Sequence, residues 1–423
     1  MDEFLKAHGL SADNVDIDRL LGDFRSEMEK GLAGEDSSLA MIPTFIDVDK
    51  DVPAGEPVIV IDAGGTNLRI ATITFGDDGK PQIDDFSKYQ MPGIERELTA
   101  DEFFGQLAEY LRPVIGKSDK IGFCFSYPAE IAPDRDGKLI RWTKEIKVPS
   151  VVGEYIGKGL LGALGEAGEG KKIAILNDTI ATLLAGKATA AGQSYESYIG
   201  FILGTGTNMA YVEKNSNITK RNDLDAAGSQ AINVESGNFG LAPRGDLDEE
   251  LDADTLIPGE HKFEKMISGL YISNIMLRSL KAAVAEGLFS DECAGVISSI
   301  DELSGRDVDD FLDNRGAGPL VNDSVVGEDA EKIRQVLEGL YARAAKLTAV
   351  NISSAVLKSG AGTDPSKPVC INIDGSTYYK ACGVKEKTEA YLSEILGGRG
   401  ISYDLVHADD APMIGAAVAG ITN

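Results

Sequence analysis

Apolar and polar positions alternate in two textures along the chain. In the first 40 residues apolar positions recur three or four apart, as in "NVDIDRLLGDFRSEMEKGL", and the pattern stops near Gly34. This predicts helix ended by a glycine. "MIPTFIDV" reads as a short strand before the loop "DKDVPAGEP". From Val58 the period shortens: "VIVIDAGGTNLRIATITF" is an apolar run, a glycine turn and a second alternating run, the pattern of a tight hairpin. "LTADEFFGQLAEYLRPVI" predicts a helix capped by Thr99, and "KIGFCFSYPAEI" a buried strand ending at Ser126 and Pro128. "KKIAILND" is a second buried strand, continued by the helix "TIATLLAGKATAAG", and "SYIGFILGTGTNMAYVE" is another strand–turn–strand. Past about residue 245 helices dominate. "HKFEKMISGLYISNIMLRSLKAAVAEG" and "DAEKIRQVLEGLYARAAKLTAVNISSAVLKS" each read as one helix, "KPVCINIDGSTYYK" as a late strand and turn, and "DDAPMIGAAVAGIT" as a closing helix of small residues. Strands and helices mix throughout, so the fold class is α/β.

One similarity is internal. "VIDAGGTNLRIATI" and "FILGTGTNMAYVEK" share a strand, a Gly/Thr turn, Thr-Asn and a second strand, with Gly64 and Gly204 lying 140 positions apart. That spacing is too wide for a solenoid. It fits two halves of like architecture, each presenting one hairpin to a shared cleft.

Composition narrows the class. The chain has 423 residues, 43% hydrophobic and 26% charged, which suits a globular protein of two domains, or three. No apolar run reaches the roughly 18–20 residues of a membrane helix; the nearest, Leu347 to Leu357, is bounded by Lys346 and Lys358. The N-terminal "MDEFLKAHGL" lacks the pattern of an export signal, so a cytoplasmic location is expected. The net charge of −27 repels nucleic acid and anionic membranes. Cys124, Cys293, Cys370 and Cys382 show no metal or redox spacing, and Cys124 and Cys370 fall inside strand patterns, as reduced core residues do. His8, His261 and His407 are far apart, which makes a carboxylate the expected general base.

The chemistry gathers at the turns. Glycines let a backbone approach an anion, and successive N–H groups make an anion-binding concavity. Thr66, Thr205 and Thr207 add hydroxyl donors. Neither a P-loop nor a dinucleotide fingerprint is present, yet two such hairpins together favour nucleotide phosphates over bare structural turns. "ILNDTIATLL" places Asn177 and Asp178 where a strand meets a helix. Asp178 either caps that helix or serves as a base toward an alcohol attacking a phosphoryl group. "SYPAEIAPDRDGKLIRWTKEIKVP" offers Ser126, Thr143 and Lys144 around Trp142; "NVESGNFG" offers Asn233 and Glu235; "FEKMISG" offers Glu264. Such carboxylates, amides and hydroxyls suit a polyol.

Taken together, these segments resemble the hexokinase family of the actin-like ATPase superfamily, over nearly the whole chain. "DAGGTNLR" resembles its first phosphate motif, "FCFSYPAEI" with "WTKEIKV" its sugar loop, and "LNDT" its catalytic segment. "GFILGTGTNMAYVE" resembles the second phosphate motif, "NVESGNFG" and "FEKMISG" the sugar glutamates, and "INIDGSTYYK" the adenosine motif. The resemblance implies two actin-like (ribonuclease H-like) domains flanking a deep cleft, 55–178 plus 408–423 forming the smaller and 1–54 plus 179–407 the larger. It implies a single catalytic unit of bacterial type, acting on a hexose with ATP and Mg²⁺, as monomer or homodimer. Asp178 then matches the catalytic base, assisted by Lys144. Ser126, Thr143, Lys144, Asn177, Asn208, Glu235 and Glu264 match sugar ligands. Asp62, Gly64, Gly65, Thr66, Asn67 and Arg69 match the first phosphate hairpin, Gly204, Thr205, Gly206 and Thr207 the second, and Asp374, Gly375 and Ser376 the adenosine turn. No dedicated metal cage is implied; Asp62 would reach Mg²⁺ through water. The chain departs from the family pattern at Ser236, where Trp is usual, which predicts a looser pocket wall. "DDAPMIG" also replaces a Gly-Ser-Gly-Lys-like stretch before the last helix. A sugar-binding regulator without turnover and an actin-like filament ATPase are the rival readings.

Overall fold

The structure is a computed structural model that describes residues 1–142, 146–190, 192–316 and 318–422. Strands β1 (Ile42–Pro43), β2 (Pro57–Gly64), β3 (Asn67–Phe75), β4 (Pro81–Gln90), β5 (Lys120–Phe125), β6 (Ala129–Ile131), β7 (Gly137–Leu139) and β8 (Lys172–Leu176) precede the second hairpin. They are followed by β9 (Ser197–Leu203), β10 (Thr207–Lys214), β11 (Ser229–Asn233), β12 (Val369–Asp374) and β13 (Tyr403–Val406). One sheet runs β4-β3-β2-β5-β8; the other runs β1-β11-β10-β9-β12-β13. In the first, β4–β3 and β3–β2 pair antiparallel, then β2–β5 and β5–β8 parallel. From β11 to β13 the second repeats that order of two antiparallel and two parallel pairings. The internal similarity of sequence is therefore a similarity of topology, and the fold is α/β with two related sheets.

Two helices lie between the sheets. Asp178–Thr189 packs on β9, β10 and β12, Ala411–Thr422 packs on β2, β5 and β8, and the two pack on each other. The last helix is nearly all Ala, Gly, Ile, Val and Met, and ten of its twelve residues are buried, as a helix apolar on every side must be. Around the second sheet the helix Gly327–Ser359 spans 33 residues and packs against Ile17–Ala33, Ile272–Ala285 and β10. Its Arg343 and the carboxylate of Asp248 form a two-pronged ion pair at 2.6 and 2.8 Å, both side chains buried.

Local signals account for most boundaries. Thr99 caps the helix Ala100–Leu111 in a reciprocal box with Glu102, and Gly34 ends Ile17–Ala33 in the left-handed conformation, as such caps do. Two readings are corrected, and one strand was not foreseen. "MIPTFIDV" pairs only at Ile42–Pro43, because Met41 and Phe45 have positive φ and break the extended run. "PQIDDFSKYQ" is an edge strand whose polarity hid it. The single helix expected over 261–287 is two, Lys262–Ile267 and Ile272–Ala285. The break sits where Gly269 and Leu270 turn their N–H groups to the carbonyls of Gly204 (2.8 Å) and Thr205 (3.2 Å). A Cβ at position 269 would lie 2.4 Å from Thr377 Oγ1, so glycine is needed for that approach.

Candidate active site

Strand β8 ends at Leu176, and Asn177 caps the next helix: its Oδ1 accepts from Thr179 N at 2.9 Å. The capping role thus falls to Asn177, and Asp178 is the first helical residue, lining a cavity of about 730 Å³. Ser126, Asn177, Thr205, Gly206, Thr207, Asn208, Glu235 and Glu264 line the same cavity, although they come from five separated stretches of chain. Ser126 is placed by its N–H, which donates to Ala63 O at 3.1 Å and so joins the ends of β2 and β5. Thr143 and Lys144 lie outside the described residues.

The two glutamates are held by different devices. Glu264 Oε2 accepts from Thr207 N at 2.9 Å, so the carboxylate is fixed by the backbone of the second hairpin. Gly206 makes this possible: a Cβ there would lie 2.6 Å from Glu264 Oε2. Glu235 sits in the left-handed region, φ 57 and ψ 47, and ends a hydrogen-bond relay whose polarity the backbone dictates. Met209 N and Ser236 N both donate to Asn208 Oδ1, at 2.7 and 3.2 Å. Its Nδ2 must therefore be the donor to Asn233 Oδ1 (2.8 Å), leaving Asn233 Nδ2 to donate to Glu235 Oε1 (2.7 Å). Burial pushes both glutamates above the ordinary carboxylate range. For Glu235 the Asn233 bond opposes that rise and the charge of Asp178 adds to it; for Glu264 the Thr207 N–H opposes it. Carboxylates held this way have unspent acceptor capacity aimed at hydroxyl donors.

A second cavity, about 760 Å³, is lined by Thr205, Leu270, Arg306, Arg315, Ser376 and Lys380 among others. Thr205 and Leu270 line both cavities, so the two spaces adjoin at the turn of the second hairpin. Gly204, Asp374 and Gly375 line neither. They form the wall behind Thr205: Gly204 O accepts from Gly269 N and from Thr377 Oγ1 (2.9 Å), and Asp374 Oδ1 accepts from Gly375 N at 2.6 Å.

The first hairpin also lies outside both linings. Thr66 and Asn67 are exposed at its tip, and Gly65 O accepts from Tyr127 OH at 2.8 Å. Asp62 and Arg69 are cross-strand partners; the guanidinium meets Asp62 Oδ2 at 2.7 Å and Asp410 Oδ1 at 3.1 Å. Both expected ligands are thus already engaged with each other. Asp410, from the divergent "DDAPMIG" stretch, is the residue reached there. Ser236 corrects a further expectation. It is wholly buried, does not line the cavity, and accepts from Asn351 Nδ2 at 3.0 Å; the pocket wall at this position is formed by Glu235, Gly237 and Asn238. Sequence reading missed Arg141 and His261 in the first cavity and Arg306, Arg315 and Lys380 in the second. Only Lys380 carried a signal, one helical turn past Ser376.

Among the described residues no cluster of three or more His, Cys, Asp or Glu is arranged to hold a metal ion, and no helix is long and apolar enough to cross a membrane. All four cysteines are free thiols, and Cys124 and Cys370 are buried.

Two family models described as hexokinase match the chain, over residues 1–188 and 198–422. Hexokinase-2 of Solanum tuberosum is 31% identical over 94% of this chain and 86% of its own length. Hexokinase-2 of Oryza sativa is 33% identical over 93% and 85%, and Hexokinase-2 of Saccharomyces cerevisiae 31% over 93% and 86%. These three relatives are eukaryotic and lend no support to a bacterial type. Among solved structures, a Schistosoma mansoni hexokinase complexed with glucose superposes with a TM-score of 0.78 at 26% identity, covering 100% of this chain and 98% of that one. Another hexokinase crystal structure, 24% identical with a TM-score of 0.77, shares the fold over 96% and 93%.

Proposed function

The chain belongs to the hexokinase family, and on that premise we propose that it transfers the γ-phosphoryl group of ATP to the 6-hydroxyl of a hexose, D-glucose foremost. The observation that carries this reading is the pair of cavities adjoining at Thr205: one holds Asp178 with Glu235 and Glu264, the other is lined by Ser376 from the end of the late Asp-Gly-Ser turn. A hexose in the first would place a hydroxyl by Asp178, and a nucleotide in the second would direct its terminal phosphate at the second hairpin.

In this mechanism Asn177, Asn208, Glu235 and Glu264 hold the sugar hydroxyls, joined by Ser126, Thr143 and Lys144 from the sugar loop. Asp178 takes the proton of the primary hydroxyl as its oxygen attacks the γ-phosphorus, and the bond to the ADP oxygen breaks. Lys144, the N–H groups of Thr205 and Gly206 and the first hairpin balance charge on the moving phosphoryl group. Arg69 would turn from Asp62 and Asp410 toward phosphate. Mg²⁺ would neutralise part of the nucleotide's charge. Asp62 supplies a single hard carboxylate rather than a cage, which fits an ion held mainly by phosphates and reached through water. Residues 55–178 plus 408–423 would close on 1–54 plus 179–407 and exclude water, itself a nucleophile toward ATP. Four free thiols and an acidic surface suit a cytoplasmic enzyme.

The sugar-binding regulator and the filament ATPase predict other kinetics. In a coupled assay, Mg-ATP should give ADP release that depends on glucose and saturates with it. Release indifferent to every hexose would fit the filament ATPase, and glucose binding without turnover would fit the regulator; either would overturn the proposal.

A further inference from the structure

We propose that Asn351, on the helix Gly327–Ser359, is a positioning residue for Glu235, acting through Ser236; the inference rests on the hexose reading of the site. Glu235 occupies the left-handed region with a full side chain, a conformation that persists only where its surroundings impose it. Ser236, the next residue, is where they do so. It is wholly buried, its N–H donates to Asn208 Oδ1, and its Oγ accepts from Asn351 Nδ2 at 3.0 Å. Both the backbone and the side chain of position 236 are therefore pinned, one by β10 and the other by the long helix.

Among the described residues the Asn351 side chain makes this one hydrogen bond. It is fully buried on a helix whose neighbouring turns bury Leu347, Val350 and Ala355 together with Thr348, Ser353 and Ser354. Asparagine is a poor helix former. Its Oδ1 finds no partner among the described residues, a state that lowers stability. A leucine of similar size would remove that defect at the expense of the Ser236 hydroxyl, whose partner is the Asn351 amide. The amide's other half makes the one contact that bears on the site, and the circuit closes: Asn351 to Ser236, Ser236 to Asn208, Asn208 to Asn233, Asn233 to the Glu235 carboxylate. Glu235 is thus fixed at its carboxylate by Asn233 and at its backbone by the Ser236 anchor.

The test compares Asn351→Leu, Ser236→Ala and the double variant with Glu235→Ala and the unaltered protein. Glucose affinity is read by calorimetry, the KM values for glucose and ATP by coupled assay, and Tm by thermal melt. We expect each single variant to weaken glucose binding about threefold to tenfold, the scale of one lost hydrogen bond. The ATP KM and kcat should stay within twofold, and the double variant, which removes both polar groups, should melt no lower than the Asn351→Leu single, which leaves the buried Ser236 hydroxyl without its partner. The double variant should be no worse than either single, since both cut one bond. If Glu235→Ala weakens glucose binding but Ser236→Ala and Asn351→Leu do not, the positioning role is wrong. Equal damage to glucose and ATP, or additive effects in the double variant, would equally overturn it. Should Asn351→Leu fail to fold, Ser236→Ala decides alone. Failure of the unaltered protein to bind glucose would instead sink the hexose reading itself.

Discussion

The two glycine-rich hairpins start from nearly the same sequence and are held in opposite ways. Around the second, beyond its own Gly204–Gly206 and Thr207–Ile202 bonds, the struts come from elsewhere in the chain: Glu264 takes the Thr207 N–H, Gly269 and Thr377 both donate to Gly204 O, and Leu270 donates to Thr205 O. The first carries its own charge pair, Asp62 with Arg69, steadied by Tyr127 and Asp410, and leaves Thr66 and Asn67 at an exposed tip. The second hairpin is a fixed wall between the two cavities. The first is a charged arm outside both. Over-determined geometry suits a reaction centre that must not move, whereas in the proposed mechanism Arg69 would meet phosphate only on closure, and its contacts with Asp62 and Asp410 would hold it until then.

The comparison breaks most visibly at the glycines. Gly206→Ala sets a methyl 2.6 Å from Glu264 Oε2, while at Gly64 the nearest atom to a new Cβ is Asp62 Oδ1 at 3.7 Å. We expect Gly206→Ala to lower kcat/KM by about 100-fold, the scale of an ångström's misplacement in an active site, and Gly64→Ala to cost about threefold or less. Similar losses in the two would mean that the hairpins are equally constrained. Next in size, Arg69→Met should raise the ATP KM about tenfold or more through loss of a charged hydrogen bond and leave glucose affinity within twofold. A glucose defect as large as the ATP defect would place Arg69 with the sugar.

The smallest effect is on stability. Burial raises the folded-state pKa of Glu235 above the ordinary glutamate value of 4.5. A raised carboxylate contributes stability that is present below the unfolded pKa and lost as pH rises through the folded one. Without ligand, Glu235→Gln should therefore melt higher than the unaltered protein at pH 7, the gain vanishing near pH 4, while glucose binding weakens. A Gln variant that melts lower at pH 7 would show that the ionised carboxylate stabilises the fold.

Much of this was legible in one dimension. Both hairpins, the Thr99 cap, the strand before Asp178 and the long helix follow from period and capping chemistry, and the segments around Asp178, Glu235 and Glu264 fall into one cavity. The Asp62–Arg69 pair was within reach too, since a two-residue turn after Gly64 sets those residues opposite each other. The helix break at Gly269 was hidden because apolar periodicity runs straight through it; the reason for breaking is a carbonyl 65 residues earlier. Ser236 and Asn351 stand 115 positions apart, and nothing local marks either as the other's partner. Position 236 looked like a pocket wall because its neighbour is one, but a left-handed turn at 235 sends successive side chains to different surroundings.

If Asp178 is the base for a bound hexose, Asp178→Asn is the decisive variant, because the substitution keeps shape and helix position but removes the basic oxygen. Glucose affinity by calorimetry and glucose-dependent ADP release should be measured on the same preparation. The expected result is a glucose affinity within about threefold of the unaltered protein and a kcat lower by about 10² to 10⁴-fold. Near-normal kcat with intact glucose binding would contradict it.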